Sequence, residues 1–480
     1  MSLSNEQLIL LDALTYYSAF SDINSLPSGN TVADVIDYIE TWGKTTCFNG
    51  IAGLSDDELG MGDIIEYIKN DSKLMQLEII YPNSTYDMTT TASVCLIDPE
   101  TNAVYVIFGG NYGAGAYEYN GTDMGTWADN FIGAFAEETE EQKRALDFYK
   151  EAVSSARDYF HANNINVSDL DITVSGHSAA GNLAQYVTVM YNGSDNISRC
   201  VSVDGQGFSQ KFIDNHSYEI AENASKITSI LPSTSIVGPL MYKIPGAYQL
   251  VVDIDCISQT MTQINSLESL IKTHMPIALL NELGNLRDFT TPSDFSLYLN
   301  DLSKKVVSNL INSDKYNIES VLPQLRHFLI CFFDKDLKKS INIEELLNSE
   351  TTKFVVEAIN QLSDGLDLGF DFNANYVDFI RFLIMDTVVG DMLTSSSVPN
   401  ITIALCVLLP LAIPFIDEFV AIKGIIDQSK DDESDNIDLD ALIIFMETME
   451  MTFCKVTVVM MNYVEVKGTI SFLEMLEVTP

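Results

Sequence analysis

Residues 170–191 read LDITVSGHSAAGNLAQYVTVMY. The apolar run Ile172-Thr173-Val174 enters a cluster of small residues, Gly176-His177-Ser178-Ala179-Ala180-Gly181. A helical pattern follows, with Leu183, Ala184, Val187 and Met190 on one face. Strand, sharp turn and helix with a serine at the apex is the nucleophile-elbow pattern, which lifts a hydroxyl above the end of a sheet. The bend brings strand and helix so close that the residues two before and two after the serine must be small. Gly176 and Ala180 fill those places. The plainer alternative is a chance serine in an ordinary turn, and the paired small residues argue against it.

Outward from this stretch, short β-rich runs occur at 77–81, 92–97, 103–108, 171–175, 199–203, 227–231 and 248–254, separated in the later part by helical segments at 138–163, 180–191 and 209–224. Such alternation predicts an α/β fold: a mostly parallel, α/β-hydrolase-like sheet carrying the elbow, with helices on both faces. Residues 1–75 read as a helical cap, starting with a capping box between Ser4 and Gln7. After about residue 265 the β signal fades, and the Gly- and Pro-containing stretch 285–292 suggests a boundary. The expected division is therefore a cap over 1–75, an α/β domain over 76–288 and an all-helical domain over 289–480.

The chain has 480 residues, ample for a large core, and 68 Asp and Glu against 26 Lys and Arg. A formal charge of −42 repels polyanions, so nucleic acid is not an expected partner. Seven scattered cysteines without a C-x-x-C pair read as buried free thiols rather than zinc ligands or disulfides, and no cofactor or metal is expected. The first residues lack the basic start of a cleaved export signal. That predicts a cytoplasmic location, or secretion by a signal-peptide-independent route. The apolar run 401–416 contains two prolines and falls short of the roughly 20 residues needed to span a bilayer, so it reads as a core helix, with transient membrane contact as the alternative. The acidic run 431–440 reads as a solvated loop, and Asp334, Asp336 and Glu345 fit a calcium-loop spacing that Lys338 and Lys339 spoil.

A serine attacks only when a base takes its proton, and the base needs an acid to hold its tautomer. Among the five histidines, His177 lies inside the elbow and reads as a packing residue, while His161 ends the helix before the strand. His327 sits in the helical half. His274, beyond the last β-run, leads as the base, with His216 in reserve. Asp204 directly follows the 199–203 strand and leads as the acid, Asp253 and Asp255 being the alternatives. The oxyanion donors are expected from the amide of Ala179 and from the loop after 103–108, where Gly109, Gly110 and Asn111 leave the backbone accessible.

Three segments resemble the bacterial lipase-like α/β-hydrolases related to class-3 lipases: GHSAAGNLAQY, CVSVDGQGFSQKFI and TWADNFIGAFAEETEEQKRALDFY. The matches span roughly residues 75–275. The resemblance implies Ser178 as nucleophile, with Gly110, Asn111 and Ala179 framing the oxyanion hole. Three departures stand out. Relatives usually read F-R-G-T where this chain has Phe108-Gly109-Gly110-Asn111, the elbow carries Ala180 where they carry glycine, and the acid they often hold near LPSTSIVG is replaced by Thr234 and Ser235. The expected function is a serine ester hydrolase acting on acyl esters or lipids, with the apolar segments 236–248 and 256–271 as a lid. The competing reading is a catalytically degenerate scaffold that acts as an interaction protein. The architecture also looks like type VII-secreted lipase toxins with a C-terminal LXG-like domain, which implies a small helical partner or an immunity protein.

Overall fold

Period-2 alternation explains why the central strands lie within the molecule. In β3 (Val104–Phe108), Val104, Val106 and Phe108 join one hydrophobic cluster, while Tyr105 and Ile107 join the other. A strand apolar on both faces must be covered on both, as parallel sheets require. The computed structural model describes residues 2–17, 31–42, 46, 55–57, 59–82, 93–109, 129–235, 237–254 and 272–324, with a few positions between 350 and 361. Among these residues the sheet has seven strands in sequential order: β1 (Glu78–Pro82), β2 (Val94–Ile97), β3, β4 (Ile172–His177), β5 (Ile197–Val203), β6 (Ile227–Pro232) and β7 (Tyr248–Val252). The first two pairings are antiparallel and the remaining four parallel. This is the mostly parallel α/β sheet expected from the alternation, although the antiparallel start was not foreseen.

One face is covered by α1 (Asn5–Leu14), α2 (Val32–Trp42), α3 (Ile64–Lys69) and the 3₁₀ turn Pro276–Leu279. The short α4 (Ser72–Met75) leads into β1. The other face is covered by α5 (Glu140–Ala162), α6 (Ala179–Met190), α7 (Gln210–Asn215) and α8 (Ser217–Asn223). α1 begins with the expected capping box, and Thr139 with Gln142 forms a second one at the start of α5. The helical segment read over 209–224 is two helices rather than one. His216 leaves the helical region at φ −110° and ψ 26°, so the chain turns between α7 and α8.

A last described helix, α9 (Asp294–Ile311), starts on a Ser293 cap and buries Phe295, Leu299, Leu302, Val306, Val307 and Leu310. Its Ser296 hydroxyl donates to the carbonyls of Ser233 (3.1 Å) and Ser235 (2.9 Å), and Ser303 accepts from the amide of Met241 (3.1 Å). α9 is thus fastened to the loop that follows β6. The 401–416 run, the acidic run, the calcium-loop spacing and most of the expected helical C-terminal domain lie outside the described residues. Among the described residues no helix is long and apolar enough to cross a membrane. Cys95 and Cys200 are buried free thiols, and the other five cysteines lie outside.

Candidate active site

The site grows from the carboxyl ends of two neighbouring parallel strands, where open α/β sheets present their chemistry. His177, the last residue of β4, pairs with Val203, the last of β5. Ser178 and Asp204 therefore follow side by side. Ser178 sits between β4 and α6 at φ 62° and ψ −126°, a backbone state that non-glycine residues rarely adopt. Its amide is held by the Val203 carbonyl at 2.9 Å. The small residues explain how the bend closes: a Cβ on Gly176 would run into the backbone carbonyl of Ala180. Gly181 and Gly205 likewise press backbone to backbone, since a Cβ on Gly205 would stand 2.8 Å from the Gly181 carbonyl carbon.

His274 Nε2 is 2.9 Å from Ser178 Oγ, and His274 Nδ1 is 2.7 Å from Asp204 Oδ2. Because a carboxylate only accepts, the Nδ1 proton points to Asp204 and leaves Nε2 bare toward the hydroxyl. Exposure is graded along this row: the Asp204 side chain is 1% exposed, that of His274 14%, and Ser178 is partly open. The second carboxylate oxygen, Asp204 Oδ1, accepts from Ser235 Oγ and from the Gly238 amide at 3.0 Å. Ser235 thus supports the aspartate from the very segment in which the resembling proteins often carry their acid. Asp204 itself takes φ 46°, which a short polar side chain tolerates, and its amide donates to the Ile230 carbonyl at 2.8 Å.

The three motifs that the sequence showed far apart meet here. Gln142, of the α5 capping box, donates to Asn182 Oδ1 (2.8 Å), and Asn182 donates to the Gly207 carbonyl (3.1 Å). Gln185 donates to Ser202 Oγ (2.9 Å), and Ser209 to the Ala136 carbonyl (2.6 Å). Asp129 receives the Glu141 amide at 3.0 Å. These polar groups are buried, so each needs such a partner, and together they hold α5, α6 and the 204–209 loop in one register.

Of the other expected site residues, Ala179 opens α6 directly after Ser178, at the positive end of the helix dipole. Gly110 and Asn111 lie outside the described residues, as do Asp255, His327 and the 256–271 lid segment. The described part of the other lid segment buries Val237, Leu240, Met241 and Ile244. The reserve base His216 is elsewhere: its ring packs on Phe212, and its Nε2 lies 3.3 Å from Glu137. Asp253 follows the end of β7, its amide bonded to the Asp288 carbonyl at 2.8 Å.

The reading of His177 as mere packing needs correction. Its ring stands 4.7 Å from that of His274, and its Nε2 is 2.7 Å from the His274 carbonyl oxygen. Alternation along β4 turns this side chain toward α1, where Tyr16 OH meets Nδ1 at 2.7 Å. Burial, reinforced by the neighbouring His274, holds His177 well below the ordinary histidine range. Tyr16 was not singled out from the sequence. The available signal was Asp12 and Tyr16 at i, i+4 spacing, a pair with polar groups following the apolar run Leu8–Leu11.

One further charge bears on the row. Lys243 Nζ is buried without a hydrogen-bond partner among the described residues. Burial pushes this amine down to about 7, the charge of Asp204 opposing the shift and Lys304 adding to it. Among the described residues no cluster of His, Cys, Asp and Glu is gathered that could hold a metal ion. No curated protein matches the chain. Residues 101–278, the span that carries Ser178, Asp204 and His274, match the model of the Mbeg1-like family, which is lipase-like and related to class-3 lipases.

Proposed function

We propose that this protein is a serine ester hydrolase of lipase, phospholipase or esterase type, cleaving acyl esters through an acyl-enzyme on Ser178. The observation that carries the reading is the continuous row Ser178–His274–Asp204, at 2.9 Å and 2.7 Å. In this scheme Asp204 holds the Nδ1–H tautomer of His274 and stabilises the imidazolium that forms. His274 takes the hydroxyl proton as Ser178 Oγ attacks the ester carbonyl carbon, then returns it to the leaving alcohol. Water repeats the sequence on the acyl-enzyme, with His274 again as base, and releases the carboxylic acid.

The negative oxygen of each tetrahedral intermediate needs donors fixed in advance. The Ala179 amide supplies one, at the start of a helix whose dipole favours negative charge. The second is assigned to the segment after β3 that contains Gly110 and Asn111. The Mbeg1-like match over 101–278 supports a lipase-like substrate, an acyl ester or lipid. The reading is tested by a fluorophosphonate probe together with p-nitrophenyl ester hydrolysis, on wild type and Ser178→Ala in parallel. Labelling and turnover in wild type, both absent in the variant, are expected. Absence of labelling in wild type, or equal labelling in both, would overturn it in favour of a binding scaffold.

A further inference from the structure

β4 presents Thr173, Ser175 and His177 to the α1 side of the sheet, while Ile172 and Val174 join the opposite cluster. All three are polar and almost completely buried. Buried polar groups need partners, and α1 with its C-terminal turn supplies two of them. Ser175 Oγ donates to Asp12 Oδ2 at 2.8 Å, and Tyr16 OH meets His177 Nδ1 at 2.7 Å. The spacing fits: four residues of helix rise about 6 Å, and two residues of strand about 6.6 Å. The two bonds are thus rungs between a helix and a strand running the same way.

The protons in the second rung can be assigned. The His274 carbonyl only accepts, so His177 Nε2 must donate to it. A neutral ring has one N–H, hence Nδ1 is bare and Tyr16 OH donates to it. The same Tyr16 hydroxyl proton is shared more weakly with the His177 carbonyl oxygen, 3.3 Å away. The chain of bonds runs from Tyr16 through the His177 ring to the backbone of His274, the residue whose ring faces Ser178. His274 follows 255–271, so its own segment reaches the site from beyond the last strand.

We propose that Tyr16 and His177 form a relay of two hydrogen bonds that pins the backbone of His274, making both of them positioning residues for the ring that faces Ser178. The proposal rests on the ester-hydrolase reading for its effect on rate, but not for its geometry. Under it, one residue outside the 101–278 family span, Tyr16, helps set how well the site is aligned.

Two measurements test it. The first needs no activity: ¹⁵N-histidine spectra report the His177 tautomer. The Nε2–H form is expected in wild type at neutral pH and, since the His274 carbonyl demands it, in Tyr16→Phe too, where the Nδ1 resonance should shift on loss of its donor. A dominant Nδ1–H form, or a ring that protonates in the ordinary histidine range, would overturn the relay. The second is kinetic. Tyr16→Phe is expected to lower kcat by about tenfold with KM within about twofold, and to move the acid limb of the pH profile. His177→Leu should do at least as much, His177→Gln should recover part of the loss through its own donor and acceptor, and Tyr16→Phe should add little on top of His177→Leu. A folded Tyr16→Phe variant with wild-type kcat and pH profile would overturn the proposal, even if His177→Leu fails to fold. Should wild type neither hydrolyse esters nor take the probe, the ester-hydrolase reading falls, and the tautomer of His177 alone decides the relay.

Discussion

The two faces of β4 are held by different physics. Toward α6 the strand offers Ile172, Val174 and Gly176, and its contribution is apolar area and close backbone approach. Burial of that kind is non-directional, and cores tolerate swaps that conserve volume. Toward α1 it offers Thr173, Ser175 and His177, and the hydrogen bonds of Ser175 and His177 are directional. The apolar face supplies stability, and the polar face supplies register. Among the described residues it is the polar face, through His177, that hydrogen-bonds to the segment carrying His274.

Perturbations at and around this strand sharpen the contrast. The largest effect is expected just past the end of the neighbouring strand β5: Asp204→Asn keeps the shape but favours the wrong histidine tautomer, and should cut kcat by roughly 10⁴-fold with the fold intact by circular dichroism. Wild-type turnover in this variant would remove Asp204 from the mechanism. On the α6 face, Gly176→Val drives a side chain into the Ala180 backbone and should cost more than about 3 kcal/mol by urea unfolding. A mild effect would mean that the elbow can relax.

On the α1 face, Ser175→Ala removes the one hydrogen-bond donor to the Asp12 carboxyl among the described residues and should cost about 1–3 kcal/mol. The same face should show opposed pH dependences. Burial holds the Asp12 carboxyl well above the ordinary carboxylate range. The folded state therefore keeps a proton that the unfolded chain releases. Stability from this group is full below the unfolded value of about 3.9 and is lost as pH rises toward the raised folded one. Asp12→Asn should accordingly raise the Tm at pH 8 more than at pH 4. His177 has the reverse sign, its stability being full above about 6.5 and lost as pH falls toward its depressed folded value, so His177→Gln should flatten the acid side of the Tm profile. If both variants track the wild-type curve, the polar face does not govern the pH response. The smallest effect belongs to the surface of α5: the exposed Lys143–Glu140 pair at 3.1 Å should change stability by less than about 0.5 kcal/mol in Lys143→Ala.

Much of the fold was legible because it rests on local patterns. Every expected strand from 77–81 to 248–254 is present within a few residues, since period-2 runs of β-branched residues bounded by turns leave few alternatives. The single helix read over 209–224 failed at His216, because apolar periodicity continues across a turn that only backbone angles reveal. The spatial meeting of Ser178, Asp204 and His274 was foreseen from strand ends and chain order. The support from Ser235 and Gly238 was not, because a hydrogen bond over 31 or 34 positions leaves no periodic trace.

By itself the sequence determined the α/β alternation, the cramped bend at Ser178 and the small residues that permit it, because these depend on the chemistry of neighbours along the chain. Tertiary structure alone decided that His177 faces His274, that Tyr16 completes its hydrogen bonding, and that Gln142, Asn182 and Gly207 are joined. The physical reason is one of range. Steric limits and hydrophobic periodicity act within a few residues, whereas the pairing of buried polar groups depends on which distant segments the fold brings within about 3 Å.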